Sequence, residues 1–139
     1  TMRILVIDGQ GGGIGSGIIE QLRQAQFPSV EILAVGTNVM ATSAMLRGGA
    51  DAAATGENAV IYNSGRADII VGPIGIIMAN AMMGEISPAM AAAISGSEAR
   101  KILIPIAKCV QVVGVEPKPM QAYIADAVAQ IQKCLLNHS

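Results

Sequence analysis

Short apolar runs alternate along the chain with segments in which apolar residues recur at helical spacing. The strands predicted from the apolar runs cover residues 3–8, 30–36, 50–55 and 68–72, followed by 101–106 and 109–115. The helices predicted from the spacing cover residues 14–25, 39–47, 57–65, 76–83, 88–95 and 118–136. This alternation predicts a three-layer α/β fold, with helices on both faces of a mainly parallel sheet of about five to six strands.

The last two predicted strands differ from the others because only Ala107 and Lys108 separate them. A parallel crossover needs about a dozen residues, so these two strands are expected to pair antiparallel. Pro105 lacks the amide that a central strand would need, which favours a position at an edge of the sheet. The sequence therefore predicts an antiparallel pair at one edge.

The composition limits the size and the assembly of the protein. With 139 residues, the chain predicts a single domain over residues 1–139. Hydrophobic residues make up 52% of the chain and charged residues only 14%, so a small domain would leave apolar surface uncovered. A homo-oligomer is expected, because subunit contacts would bury that surface. A tightly packed monomer is the alternative.

Charge and aromatic content argue against nucleic acid as a partner. The formal net charge is -1, the basic residues are scattered, and the chain has two Tyr, one Phe and no Trp. No apolar run has the length of a membrane span, and the chain opens on a strand pattern rather than on a leader. Cys109 and Cys134 are interpreted as free thiols, so we expect a cytoplasmic protein without membrane contact.

The glycine-rich segment at residues 8–17 falls between the first strand and the first helix. Glycine lets the backbone turn sharply and approach a bulky anion, and the helix behind it presents unpaired amides. The turn therefore predicts a site for a phosphate-bearing small molecule. Its predicted binding residues are Asp8, Gly9, Gln10, Gly11, Gly12, Gly13, Ile14, Gly15 and Ser16. Asp8 would repel a bare phosphate, and its expected role is to tie the turn by bonds to backbone amides.

The spacing of the glycines narrows the ligand class. The turn lacks the Lys-Ser/Thr ending of a P-loop, which disfavours triphosphate hydrolysis. Gly9, Gly13 and Gly15 give G-x-x-x-G-I-G, which resembles the cofactor turn of short-chain dehydrogenases and implies NAD(P). The resemblance covers only the first strand, turn and helix. Tyr62 and Arg66 share the spacing of the catalytic Tyr and Lys of those enzymes, but they occur too early and are interpreted as surface residues of a helix.

Two polar residues end the second strand, where dinucleotide-binding folds place an acid for the ribose hydroxyls. They are Thr37 and Asn38, and neither is an acid. NAD or NADP therefore lacks support at this position. Asn38 either caps the following helix or bonds a ribose.

A second glycine loop follows the fourth strand and contains Gly72, Pro73, Ile74 and Gly75. In a sheet of order 3-2-1-4-5, the first and fourth strands are neighbours whose connections leave on opposite faces. A crevice opens where those connections diverge. The loop is therefore predicted to form the opposite wall of one cleft shared with the first glycine turn.

Some further residues are weighed as site candidates. Glu85 is interpreted as a surface acid, with a position at the cleft mouth as the alternative. Asn80 lies in a predicted apolar helix and needs a polar partner. His138 is a poor candidate for catalysis, and no metal site is predicted. Four methionines fit core packing and a subunit interface equally well: Met78, Met82, Met83 and Met90.

Three motifs together resemble a short bacterial family catalogued as a domain of unknown function. They are DGQGGGIG at 8–15, GPIGI at 72–76 and GEIS at 84–87. The resemblance implies a Rossmann-like fold over nearly the whole chain and assigns no activity. We expect a protein that binds a nucleotide or another phosphate ligand, with NAD(P), a flavin or another nucleotide as cofactor. The alternatives are an NAD(P)- or flavin-dependent oxidoreductase and a non-catalytic interaction subunit; the sequence identifies no catalytic residues.

Overall fold

A computed structural model describes residues 1–137, which form five strands and five α-helices. The strands are β1 (Met2–Asp8), β2 (Val30–Gly36), β3 (Ala52–Thr55), β4 (Ile69–Pro73) and β5 (Arg100–Ile104). The helices are α1 (Gly13–Ala25), α2 (Val39–Gly48), α3 (Glu57–Ser64), α4 (Pro88–Ser95) and α5 (Met120–Leu136), with a short 3₁₀ helix at Ile74–Ile77. Among the described residues, no helix combines the length and apolarity that crossing a bilayer requires.

The sheet is parallel throughout and has the strand order β3-β2-β1-β4-β5, as predicted. β1 lies at its centre, and its apolar side chains alternate between two cores. Ile4 and Val6 face the core built by α1, α2 and α5. Leu5 and Ile7 face the core built by α3, α4 and the 3₁₀ helix. Both faces of β1 are buried, which explains why its sequence is a continuous apolar run.

Two predicted helix starts are confirmed by their side-chain caps. The Asn38 side chain accepts a hydrogen bond from the Ala41 amide at the start of α2. The Ser87 hydroxyl accepts one from the Met90 amide at the start of α4, whose first residue is Pro88. The local sequence was therefore sufficient to predict where both helices begin.

The predicted antiparallel pair at the sheet edge is wrong. β5 pairs parallel with β4, and residues 109–115 form no strand, although one isolated antiparallel bridge joins Ala107 to Val110. The chain reaches β5 through α4, a crossover long enough for parallel pairing. After Ile104 it leaves the sheet at Pro105, which has no amide to continue a ladder.

The predicted helix over 76–83 is also wrong. Only the 3₁₀ helix forms, and turns then carry the chain to α4. Asn80, Met82, Met83 and Gly84 all have positive φ angles, between 56° and 88°. Left-handed residues end a right-handed helix, and here they reverse the chain so that Ile86 enters the core. The apolar spacing therefore reflects contacts made by turns.

Gly72 is required by the close approach of β4 to β1. A Cβ atom at this position would lie 2.3 Å from the carbonyl oxygen of Ile7, in the buried centre of the sheet. We expect Gly72→Ala to lower the free energy of unfolding by about 1–3 kcal/mol, because neither strand can move freely. Urea denaturation measures this change.

The matched control is Gly11→Ala, since a Cβ atom there would meet no atom within 4 Å. This variant should stay within about 0.5 kcal/mol of wild type. Equal losses in the two variants would contradict the packing role assigned to Gly72.

Candidate functional site

Asp8 ends β1 and is 4% exposed. Its two carboxylate oxygens accept hydrogen bonds from the Gly9 amide at 2.8 Å and the Gly15 amide at 2.7 Å. Burial raises the pKa of Asp8 above its ordinary value of 3.8, while the amides of Gly15, Gly9 and Ile14 oppose that shift. The structure thus gives Asp8 the turn-tying role expected from the sequence. It also fills the amide-lined start of α1 with the chain's own carboxylate.

Most other amides of the first glycine turn are used inside the protein. The Gly12 amide donates to the Gly9 carbonyl, and the Ser16 amide donates to the Gly12 carbonyl. The expectation of a bare row of amides is therefore wrong. Within residues 1–137, the amides of Gly11 and Gly13 make no hydrogen bond, and the space beside both residues is open.

Glu85 is the residue whose role the sequence did not reveal. Its Oε1 accepts hydrogen bonds from the Gln10 amide at 2.8 Å, the Thr37 hydroxyl at 2.5 Å and Asn38 Nδ2 at 3.0 Å. The bond from Gln10 is the largest cause that lowers the pKa of Glu85, followed by the bond from Thr37. Glu85 is therefore not a simple surface acid, because it ties residues 78–86 to the first turn and to the end of β2.

Thr37 and Asn38 face Glu85 and do not line the cleft. Asn38 caps α2 with its oxygen and uses its amide group on Glu85 and on the Gln10 carbonyl. Their polar groups are thus engaged within the protein. Where dinucleotide-binding folds carry an acid on β2, this structure brings an acid from a distant loop. Local sequence could not signal this, since Glu85 lies 48 positions from Thr37.

Residues 78–86 lie directly over the first turn. A Cβ atom on Gly9 would be 2.6 Å from the sulfur of Met82, 2.6 Å from Thr37 Oγ1 and 2.9 Å from Glu85 Oε1. Only glycine fits beneath this cover. Gly9 therefore serves internal packing, and its amide is already bonded to Asp8.

A cleft of about 410 Å³ opens between the two glycine loops, beyond the segment that covers Gly9. Both loops line it, as the predicted topology requires. Its walls come from Asp8, Gln10 and Ile14, from Pro73 and Gly75, from Met78, Asn80, Ala81, Met82 and Met83, and from Ile106, Ala107 and Lys108. The other predicted site residues are not among them: Gly9, Gly11, Gly12, Gly13, Gly15, Ser16, Thr37, Asn38, Gly72 and Ile74. Lys108, which the sequence did not single out, is the one basic residue among these lining residues of the described chain.

The remaining candidates take structural or peripheral positions. Asn80 lies in a turn rather than a helix, its backbone N–H donates to the Ile86 carbonyl at 2.7 Å, and its side chain is exposed and lines the cleft. Met90 is buried in the core, whereas Met83 is exposed at the cleft. The guanidinium of Arg66 stacks on the Tyr62 ring, 4.6 Å from its centre, away from the cleft. His138 lies outside the described residues.

Among residues 1–137, no group of three His, Cys, Asp or Glu side chains is placed so that it could hold a metal ion. Within the cleft, the ionisable side chains are Asp8 and Lys108. Asp8 is tied to backbone amides, so the lining residues present no paired base and nucleophile.

A parallel sheet of this order, covered by helices on both faces and followed at β1 by a glycine turn, defines a Rossmann-like α/β protein. The chain belongs to the family described as a domain of unknown function, DUF3842, whose model matches residues 3–136. The resemblance carried by the three motifs is thereby confirmed. No curated protein matches the chain.

One solved structure that is similar to this chain is the crystal structure of a dodecameric FMN-dependent Ubix-like decarboxylase from Escherichia coli O157:H7. The two chains are 16% identical, and the superposition covers 97% of this chain and 94% of that chain with a TM-score of 0.48. FMN dependence and the dodecameric assembly are properties of that decarboxylase.

The hydrogen bonds to Glu85 predict a pH-dependent contribution to stability. They lower its pKa below the ordinary value of 4.5, so the ionised form stabilises the fold above that pH. This contribution is lost as the pH falls through the lowered pKa. We expect Glu85→Gln to lower the free energy of unfolding at neutral pH by an amount on the order of 1 kcal/mol.

Denaturation of wild type and variant from neutral pH to below pH 4.5 tests this expectation, because the gap between the two proteins should shrink as the pH falls. Glu20→Gln, on the exposed surface of α1, is the control and should show no such gap. If the difference in unfolding free energy between wild type and Glu85→Gln widens in acid, the predicted direction of the pH dependence is wrong.

Proposed function

We propose that the protein binds a phosphate-bearing small molecule of mononucleotide size in the cleft between its two glycine loops. The observation that carries the proposal is the convergence of both loops and Lys108 on one cleft at the switch point of the sheet. Its volume of about 410 Å³ falls within the range of roughly 300–1,000 Å³ that is typical of small-ligand sites.

The anionic group of the ligand would bind at the outer side of the first turn. The amides of Gly11 and Gly13 have no partner among the described residues, and a Cβ atom added to either residue would meet no atom within 4 Å. Lys108 supplies positive charge at the cleft. Asp8 lines the same cleft, and the backbone amides of Gly9 and Gly15 donate to both of its carboxyl oxygens. This arrangement supports an anion-binding site at the first turn that is smaller than the nine-residue site expected there from the sequence.

The apolar part of the ligand would pack on the opposite wall of the cleft. Met78, Met82 and Ile106 line this wall, and methionine adapts its shape to flat rings. Thr37 and Asn38 donate hydrogen bonds to Glu85, so we do not expect them to make the ribose contacts that are usual for a dinucleotide. Flavin mononucleotide and other mononucleotides fit it better than NAD(P).

We infer binding rather than catalysis as the function of the isolated chain. The cleft offers one basic side chain and one tied carboxylate, which do not form a proton-transfer pair for an oxidoreductase. Turnover of a nicotinamide or flavin cofactor by the purified protein would contradict this inference.

Calorimetric titration with FMN, AMP, ATP, coenzyme A, NAD and NADP is the direct test. At least one mononucleotide should bind and raise the melting temperature, because a ligand that binds the folded state stabilises it. Heat and melting curves unchanged by all six would refute the proposal.

Gly11→Asp should weaken binding of the ligand found in that screen by at least about tenfold. The new carboxylate would lie beside the two free amides and repel the phosphate, while the open space around Gly11 lets the protein fold. Gly11→Asn is the matched control, with the same size and no charge. Calorimetry should show a much smaller loss for it, and equal losses would argue against an anion at this turn.

Lys108→Gln should weaken the same binding by about fivefold, which corresponds to roughly 1 kcal/mol for a partly exposed charge pair. The affinity of this variant should also depend less on salt, because one screened attraction is gone. Lys133→Gln on α5 is the control and should bind like wild type. If the affinity and its salt dependence are unchanged in Lys108→Gln, Lys108 does not contribute to ligand binding.

A further inference from the structure

Residues with unfavourable backbone conformations gather at the cleft between the two glycine loops. Within residues 1–137, seven residues other than glycine have positive φ angles, and four of the seven line this cleft: Gln10, Asn80, Met82 and Met83. A left-handed conformation costs free energy for a residue that carries a side chain, whereas glycine adopts it freely. Such residues cluster at functional sites. Each of the four side chains therefore needs an explanation.

Gln10 has a side chain that the fold does not explain. Its backbone, with a φ of 51°, is fixed because its amide donates to Glu85 and its carbonyl accepts from Asn38. Glycine at this position would keep both bonds and remove the strain, and the four other residues from 9 to 13 are glycines. The Gln10 carboxamide is exposed, lines the cleft and makes no hydrogen bond within the described chain. This side chain is therefore free to bind a ligand.

Asn80 has the same arrangement. With a φ of 67°, its backbone N–H donates to the Ile86 carbonyl at 2.7 Å, and its carbonyl accepts from the Gly84 amide at 3.2 Å. Its carboxamide is exposed at the cleft and, like that of Gln10, has no hydrogen-bond partner in the part of the chain that the structure describes. The cleft thus holds two carboxamides, each on a backbone that the fold already fixes.

The two methionines differ from each other. Met82 packs over the first turn, since a Cβ atom on Gly9 would lie 2.6 Å from its sulfur, and this packing accounts for its side chain. Met83 is 94% exposed at the cleft, so packing does not account for it. The side chains that remain unexplained are those of Gln10, Asn80 and Met83, and all three are exposed at one cleft.

The chemistry of the two carboxamides limits what they can recognise. Each carboxamide places N–H donors beside an oxygen acceptor in one plane. This arrangement matches the edge of a planar heterocycle that carries an acceptor next to a donor, as when asparagine or glutamine binds adenine. The ionisable side chains that line the cleft are Asp8, which is bonded to backbone amides, and Lys108. A neutral ring edge therefore suits the carboxamides better than a second charged group.

We propose that the Gln10 and Asn80 carboxamides hydrogen-bond the edge of a planar nitrogen heterocycle in the ligand, and that Met83 packs against one face of this ring. The proposal rests on the proposed function and narrows the ligand from phosphate-bearing molecules in general to nucleotides. A sugar phosphate would occupy the anion site without the ring contacts. Because the fold fixes both backbones in advance, less ordering is needed on binding, which favours affinity.

Calorimetric titration of wild type with AMP, FMN and ribose 5-phosphate separates this proposal from the proposed function. At least one of the two nucleotides should bind at least about tenfold more tightly than ribose 5-phosphate, which has the phosphate but no ring. If ribose 5-phosphate binds as tightly as both nucleotides, recognition of the ring is refuted and the anion site stands. If none of the three binds, ring recognition and the mononucleotide site are both refuted.

Gln10→Gly and Asn80→Gly test the two carboxamides while keeping the backbone bonds. Each should weaken nucleotide binding at least about fivefold and change the affinity for ribose 5-phosphate by less than about twofold. Each variant should melt no lower than wild type, because glycine relieves the strain of a positive φ. Gln26→Gly is the matched control, since Gln26 has a φ of 54° at the end of α1 and does not line the cleft. This variant should bind nucleotide like wild type.

Three results would overturn the proposal. The first is an unchanged nucleotide affinity in both Gln10→Gly and Asn80→Gly. The second is an equal loss of affinity for ribose 5-phosphate, which would place the effect at the anion site. The third is a melting temperature that falls in both variants, because the side chains would then serve the fold.

Discussion

The carboxyl group of Asp8 is buried at the end of the central strand, and the first turn of α1 is built around it. Burying a charge without partners costs several kcal/mol, so the group persists only where donors surround it. The amides of Gly9 and Gly15 provide those donors, and the partial positive charge of the helix start adds to them. The same interaction that shapes the turn occupies the amides of Gly9 and Gly15, whereas those of Gly11 and Gly13 have no partner among the described residues. Any ligand that binds at this turn is therefore restricted to the backbone amides that Asp8 does not bond.

Glu85 extends this constraint to the rest of the carboxyl edge of the sheet. Its bonds to Gln10, Thr37 and Asn38 link three segments that are distant in sequence. Asn80, Met82, Met83 and Gly84 adopt left-handed conformations that bring Glu85 there, which costs free energy for a residue such as Met82. That cost is offset by the burial of Ile86, the residue after Glu85, and by the charged hydrogen bonds of Glu85. The negative charge of Glu85 also contributes to raising the pKa of Asp8, so the two acids are coupled.

The sequence was a good guide wherever one segment determines its own structure. β1, β2 and β4 are buried on both faces, and the caps at Asn38 and Ser87 depend on neighbouring residues alone. It failed where tertiary contacts decide. Helical spacing over 76–83 came from turns that fold back onto the first loop, and the strand predicted over 109–115 forms only the isolated bridge from Val110 to Ala107 within residues 1–137. The position of the cleft followed from topology. The roles of Glu85 and Lys108 did not, because a single carboxylate or ammonium in a loop has no pattern that reveals what it will face.

The position of Lys101 has a consequence for folding in a crowded cell. Charged side chains that project from an edge strand commonly prevent it from adding to other sheets. Here the Lys101 ammonium bonds to the loop that precedes β5, so Lys101 does not project a charge from the edge, and Arg100 is the exposed charged residue of the strand. An edge of this kind can add a strand from another molecule, and such pairing is one route by which a newly folded chain aggregates.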